Sequence, residues 1–206
     1  MSESSIHFSI SFLEPQAHYV EVEMTIANFP GDHLDIKMPV WTPGSYLIRE
    51  YARHVESVTA FAGDQPIACR KTSKNTWRVQ NAQETIRIRY RIYGFEISVR
   101  TNFIDADHAF LSPAATFMYL DGQIQHPCTV HIELPSTWSS ISTGLATASS
   151  EGSTFYAPDF DILYDSPIEI GNQDVWHFDA AGIPHEFAMV GGGHYDKQQL
   201  SADITK

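Results

Sequence analysis

Cysteine is almost missing from this sequence, with Cys69 and Cys128 the only two in 206 residues. They stand far apart and form no CxxC pair, so two ordinary buried thiols are expected in preference to a disulfide framework or a zinc site. Positive charge is scarce too. There are 13 Lys and Arg against 25 Asp and Glu, a formal net charge of −12. A field of that sign repels phosphate backbones and anionic lipid, so neither nucleic acid nor membrane is an expected partner. No apolar run is long enough to cross a bilayer, and the amino terminus, MSESSIHFSISFLEPQ, lacks the basic patch and apolar core of a secretory signal. A cytoplasmic protein is the expectation, unless a signal has been trimmed away.

Catalytic signatures are missing as well: there is no GxSxG and no phosphate-cradling glycine loop. The nearest approach is His185-Glu186 in HEFAM. A zincin HExxH helix needs a second His at position 189, where this chain has Met189. Pro184 before the run and Gly191-Gly192-Gly193 after it suit a strand leading into a loop better than a metal-binding helix. His126 and His131, five apart in a strand-like run, would point to opposite faces. No catalytic residue and no metal ligand is therefore expected in this chain.

What the sequence does have is alternation. Ile6, Phe8, Ile10 and Phe12 alternate with small or polar residues, and Val20, Val22, Met24 and Ile26 alternate with Glu21, Glu23 and Thr25. Leu34, Ile36 and Met38 continue the pattern after the turn Asn28 to Asp32, and Val130, Ile132 and Leu134 repeat it. Arg87, Arg89 and Arg91 alternate with isoleucines and read as the wet face of a strand. With 43% apolar residues, the chain can build one large β domain or two small ones. The fold class expected is all-β, an antiparallel β-sandwich with one or two short helices. Ser45 to Val58 has Leu47, Ile48, Tyr51 and Val55 at helical spacing, and Pro158 to Tyr164 suits a single Asp-capped turn ended by Pro167. The Ser/Thr/Gly-rich segment from Ser136 to Ser153 reads as loop and edge strand.

One stretch is more specialised. Met38 to Val55 reads MPVWTPGSYLIREYARHV. Pro43 fixes φ and Gly44 permits φ above zero, so Thr42 to Ser45 suits a tight type II turn that sets Trp41 and Tyr46 in defined directions. Such a turn serves either as a plug for the open end of a sandwich, with Arg49 and Glu50 pairing on the surface, or as an interface anchor.

This stretch closely resembles the signature near the start of the glycyl aminopeptidase family of metallopeptidases. TNFIDADHAFLSPAATFMYL, LPSTWSSISTGL and YDSPIEIGN resemble later pieces of the same family, in the same order. Members are zinc enzymes built from an N-terminal β domain, a thermolysin-like catalytic domain and a PDZ domain. The resemblance implies that residues 1–206 are the single N-terminal domain, with the catalytic and PDZ domains and the HExxH motif lying beyond them. Zinc then belongs to the full-length enzyme, and the implied partners are the protein's own catalytic domain and a peptide substrate. On this view the domain is non-catalytic and helps shape the substrate cleft. Trp41, Thr42, Pro43, Gly44, Ser45, Tyr46, Arg49 and Glu50, together with Asp165, Pro167 and Glu169, form the substrate or interdomain surface. Glu50, Asp165 and Glu169 are candidate acceptors for a substrate's free α-amino group. The other reading is a free-standing β-sandwich module binding peptides or glycans, for which 12% aromatic residues suffice.

Overall fold

The alternating segments form strands, and the apolar set of each turns to one side. The computed structural model describes residues 3–42, 44–45, 47–81 and 85–205. Its first half contains β1 (Ser5–Ser11), β2 (Tyr19–Ala27), β3 (His33–Lys37), β4 (Val55–Ala62), β5 (Gln65–Ile67), β6 (Cys69–Ser73), β7 (Thr76–Gln80) and β8 (Ile86–Tyr93). Next come β9 (Phe103–Ile104), β10 (His108–Leu111), β11 (Tyr119–Leu120), β12 (Cys128–Ile132), β13 (Ser140–Thr143), β14 (Ala146–Thr147) and β15 (Thr154–Ala157). The helix α1 (Phe160–Tyr164), strands β16 (Ile168–Gly171), β17 (Asp174–Ala180) and β18 (Ile183–Met189), and the helix α2 (Lys197–Ile204) complete the chain.

One large sheet has the order β14-β15-β12-β1-β2-β8-β4-β5. Two small sheets, β13-β16-β10-β9 and β11-β3-β7-β6, make the opposing layer, and β17-β18 stands apart as a hairpin. The expected all-β sandwich is present. Its second layer is divided because a 3-10 turn at Pro113–Ala115 separates β10 from β11, which join different sheets. The register places Phe155, Val130, Phe8, Met24, Ile88 and Ala60 in one row across six strands, and all six are buried. Each large side chain in such a row contributes about 1.5–3 kcal/mol through burial. Phe8 meets Phe117 edge-on at 4.9 Å. The buried Tyr90 hydroxyl joins the layers by donating to the Thr116 carbonyl and accepting from the Met118 amide, each at 3.1 Å. The named strands pair antiparallel except β1 with β12, which run parallel.

The outer face of the large sheet carries the arginines as ion pairs: Arg87 with Asp64, Arg89 with Glu23 and Arg91 with Glu56. Both cysteines are free. Cys128 is buried in β12, which pushes its thiol up to about 12, whereas Cys69 is only half-buried. The Ser136 to Ser153 segment supplies β13 and β14, each the edge of its sheet. Among the described residues no helix is long and apolar enough to cross a membrane.

Of the two expected helices, α1 forms, with the Asp159 carboxylate accepting the Ile162 amide at 2.8 Å. The Ser45 to Val58 helix does not. Its backbone donors are committed elsewhere: the Ser45 amide bonds to the Thr42 carbonyl and the Arg49 amide to the Val40 carbonyl. Only a 3-10 turn remains at Tyr51–Arg53 before β4 begins at Val55. Leu47 and Ile48, whose spacing suggested a helix, are exposed. The second helix is instead α2, capped by the Asp196 carboxylate.

Candidate functional site

The loop after β3 is held by local bonds. The Ser45 amide donates to the Thr42 carbonyl at 3.1 Å, and Gly44 has φ +72° at the third position of the turn. Both are features of a type II turn; Pro43 and Tyr46, which the sequence places in or beside it, lie outside the described residues. The Arg49 guanidinium donates to the Ser45 hydroxyl, with Nη2 at 2.9 Å, while its amide reaches Val40 at 2.7 Å. Thr42 and Ser45 are thereby buried, and Trp41 is left 46% exposed. The Trp41 ring lies 6.3 Å from that of Tyr164, at the end of α1 beside Asp165. Glu50 pairs with Lys74 at 2.9 Å and not with Arg49, and this ammonium holds its carboxyl below the usual range.

A second loop stands at the same end. Ile97 is 86% and Val99 76% exposed. The charges of Arg49, from the first loop, and Arg100, from the second, both act on the Tyr51 phenol, which burial pushes above its ordinary value. Among the described residues the buried Tyr51 hydroxyl has no hydrogen-bond partner.

Beneath the second loop lies the outer face of the β13-β16-β10-β9 sheet. The pairing of its strands sets Phe103, Phe110, Glu169 and Ser142 in one row across all four, while Ile168 and Ile170 point into the core. Glu169 Oε1 is 2.8 Å from His108 Nδ1, and each side chain is only 18% exposed. The hydrogen bond to Glu169 raises the His108 pKa above its ordinary value against the opposing effect of burial, and the charge of Glu169 and then of Asp105 and Asp107 adds to the rise. The Asp105 carboxylate also accepts the Asp107 and His108 amides, fixing the approach to β10. A cleft of about 490 Å³ opens here between Ile97, Val99, Phe103 and Glu169. A second, of about 550 Å³, shares Phe110 and Glu169 and runs past Pro167 to Pro184 and Glu186 on β18. Together they form a groove with apolar walls and a carboxylate–imidazole pair on its floor, suited to an extended chain that carries a cation.

The structure thus brings Pro167 and Glu169 to the groove, Trp41 to the ring of Tyr164, which precedes Asp165, and Glu50 to Lys74. Sequence reasoning missed His108. The signal was available: in HAFL, Ala109 and Leu111 belong to the core, so His108 and Phe110 must share the other face.

The HEFAM run is strand, as its flanks indicate. His185 stacks on Phe178 at 5.3 Å, and Glu186, on the other face, lies 3.1 Å from His177 Nε2. Adjacent strand residues point apart and cannot act as two ligands of one zinc ion. Among the described residues no three His, Cys, Asp or Glu side chains converge on a metal-sized site.

The family model described as the peptidase M61 N-terminal domain matches residues 7–172. A crystal structure of an aminopeptidase N family protein from Idiomarina loihiensis is similar, with a TM-score of 0.91 and 27% identity over 97% of this chain. The chain spans 35% of that one. No curated protein matches the sequence.

Proposed function

We propose, since this chain belongs to the peptidase M61 N-terminal domain family, that it is the non-catalytic N-terminal domain of a zinc aminopeptidase and forms one wall of the substrate cleft. The zinc, its HExxH ligands and the attacking water belong to a catalytic domain that docks beside it. The domain itself contributes shape, charge and position. The loops at 41–50 and 95–101, tied by the Arg49 amide to Val40 and the Glu96 amide to Asn102 and exposing Leu47, Ile48, Ile97 and Val99, meet that catalytic domain. The substrate is a peptide with a free amino terminus.

The observation that carries this reading is the groove on the β13-β16-β10-β9 sheet. Of the carboxylates suggested for an α-amino group, Glu50 pairs with Lys74 and lines neither cleft, whereas Glu169, paired with His108, lines both. An ammonium placed there would add hydrogen bonds to the oxygens of a carboxylate already oriented by His108. The surplus of negative charge draws such a cation in, and with nucleic acid and membrane disfavoured by the same field, peptide is the fitting ligand.

The test is Glu169→Gln in the enzyme that carries this domain. KM for short peptides should rise about tenfold with kcat within about twofold, as for lost uniform binding. Unaltered kcat/KM would remove Glu169 from the cleft.

A further inference from the structure

We propose that the β17-β18 hairpin lies outside the folding unit made by residues 3–172 and is the opening piece of a second sheet, completed by strands of the polypeptide that follows this domain in the peptidase. The proposal rests on the reading that a catalytic unit adjoins the domain, and it replaces the expectation of one domain over residues 1–206 with a domain plus the start of the next.

The hairpin is unfinished in three respects. Among the described residues its strands pair only with each other, so each presents an open edge of amide and carbonyl groups. No residue of either strand is buried. Yet one side is rich in large apolar residues: the register puts Trp176, Phe178, Phe187 and Met189 there, with Asp174 and His185, and Val175, His177, Asp179, Pro184, Glu186 and Ala188 on the other. Trp176 stacks on Phe187 at 4.6 Å, and Ile183, on the same side, is 60% exposed. The cover is slight. It is confined to the Trp176 end, where Tyr195 stacks on the indole at 5.8 Å, the indole donates to the Ser201 hydroxyl at 3.2 Å, and Lys197 lies over the ring and pairs with Asp174, while α2 buries none of its own residues. A two-stranded hairpin is marginal in water; a third strand or a packed apolar face is what stabilises one.

Two observations identify the occupant. The family match ends at residue 172, two residues before β17 begins. The Idiomarina loihiensis protein shares 97% of this chain, and hence most of the hairpin and α2, and the shared part is only 35% of its length. Further polypeptide is therefore at hand in a protein of this architecture, and a β-strand is what fits an open strand edge. The opposite face of the hairpin, with Pro184, Glu186 and Ala188, walls the second cleft. That cleft then lies between two folding units.

Hydrogen exchange read by mass spectrometry tests this on the 206-residue chain and on a chain extended through the sequence encoded downstream. In the shorter chain β17 and β18 should exchange at least about 100-fold faster than β2 and β8, because their opening is local and not global. In the extended chain their exchange should slow by a similar factor, with β2 and β8 unchanged, and Phe187→Ser should reverse the slowing. Four results overturn the proposal: a hairpin as protected as β2 in the shorter chain, no gain on extension, a reading frame that stops after Lys206, or protection that tracks protein concentration and dimer formation. An unaltered KM for Glu169→Gln beside a hairpin that gains protection would sink the cleft reading alone. The two failures are thus separable.

Discussion

His108 and Glu169 meet diagonally across neighbouring strands, because the residue directly opposite His108 is Gly171. A Cβ at position 171 would lie 2.7 Å from the His108 Cβ and 3.1 Å from the Asp107 carbonyl oxygen. The IEIG stretch therefore contributes twice, with a carboxylate that binds the imidazole and a bare backbone that leaves room for it.

Gly171→Ala should consequently cost about 1–3 kcal/mol, the range for an added methyl in a packed site. Both neighbours of the new carbon are backbone or Cβ atoms, which cannot swing aside. Denaturant melts showing a loss under about 0.5 kcal/mol, the level of an ordinary surface change, would refute the close approach.

The His108 pKa is raised in the folded protein, first by its hydrogen bond to Glu169. The folded state thus binds the imidazolium more tightly than the unfolded state does. This stability is fully present below the ordinary histidine value of 6.5 and is lost as pH rises through the folded value. Melting temperatures of the wild type and His108→Gln should differ most below the ordinary value and converge as pH rises past the raised folded value. A gap that widens toward alkaline pH would contradict the pair.

Trp41 is half exposed, and among the described residues its ring neighbour is Tyr164. Trp41→Ala should cost this chain less than about 1 kcal/mol, whereas Phe117→Ala, at a fully buried ring, should cost about 3–5 kcal/mol. In the enzyme carrying the catalytic domain, Trp41→Ala should weaken docking and lower activity. A stability loss like that of Phe117→Ala would make Trp41 a core plug.

Zinc should leave the chain unmoved. His185 and Glu186 face opposite sides of β18 and are engaged by Phe178 and His177. A ligand that binds neither folded nor unfolded protein shifts no equilibrium, so zinc at about 100 μM should change Tm by under about 1 °C. A rise of several degrees, lost in His185→Ala, would restore a metal site at HEFAM.

Much of the large sheet was legible because its strands are half-buried and alternate cleanly. Phe8 and Met24 each declare a face by their neighbours, and the register follows from matching the faces. The Leu47–Ile48 pair misled for the opposite reason: these side chains have helical spacing but reach no core, and the turn bonds of Ser45 and Arg49 outweigh periodicity. The short strands were harder. β9 and β11 have two residues each, too few for a period, and tertiary pairing alone defines them. His108 escaped notice because its importance lies in Glu169 and Gly171, about sixty positions away.

The parallel pairing of β1 with β12 also sets a clock for synthesis. β1 can join β2 as soon as both have left the ribosome, but its other edge stays open until residues 128–132 emerge. At about 5–20 residues per second, that delay is roughly 6–23 s. Throughout it Ile6, Phe8 and Ile10 lie on a strand with a bare edge, where a stray strand from another chain can add. The vulnerable period of this protein thus comes before the fold exists, and agents that hold nascent strands apart should affect its yield more than additives that stabilise the finished sandwich.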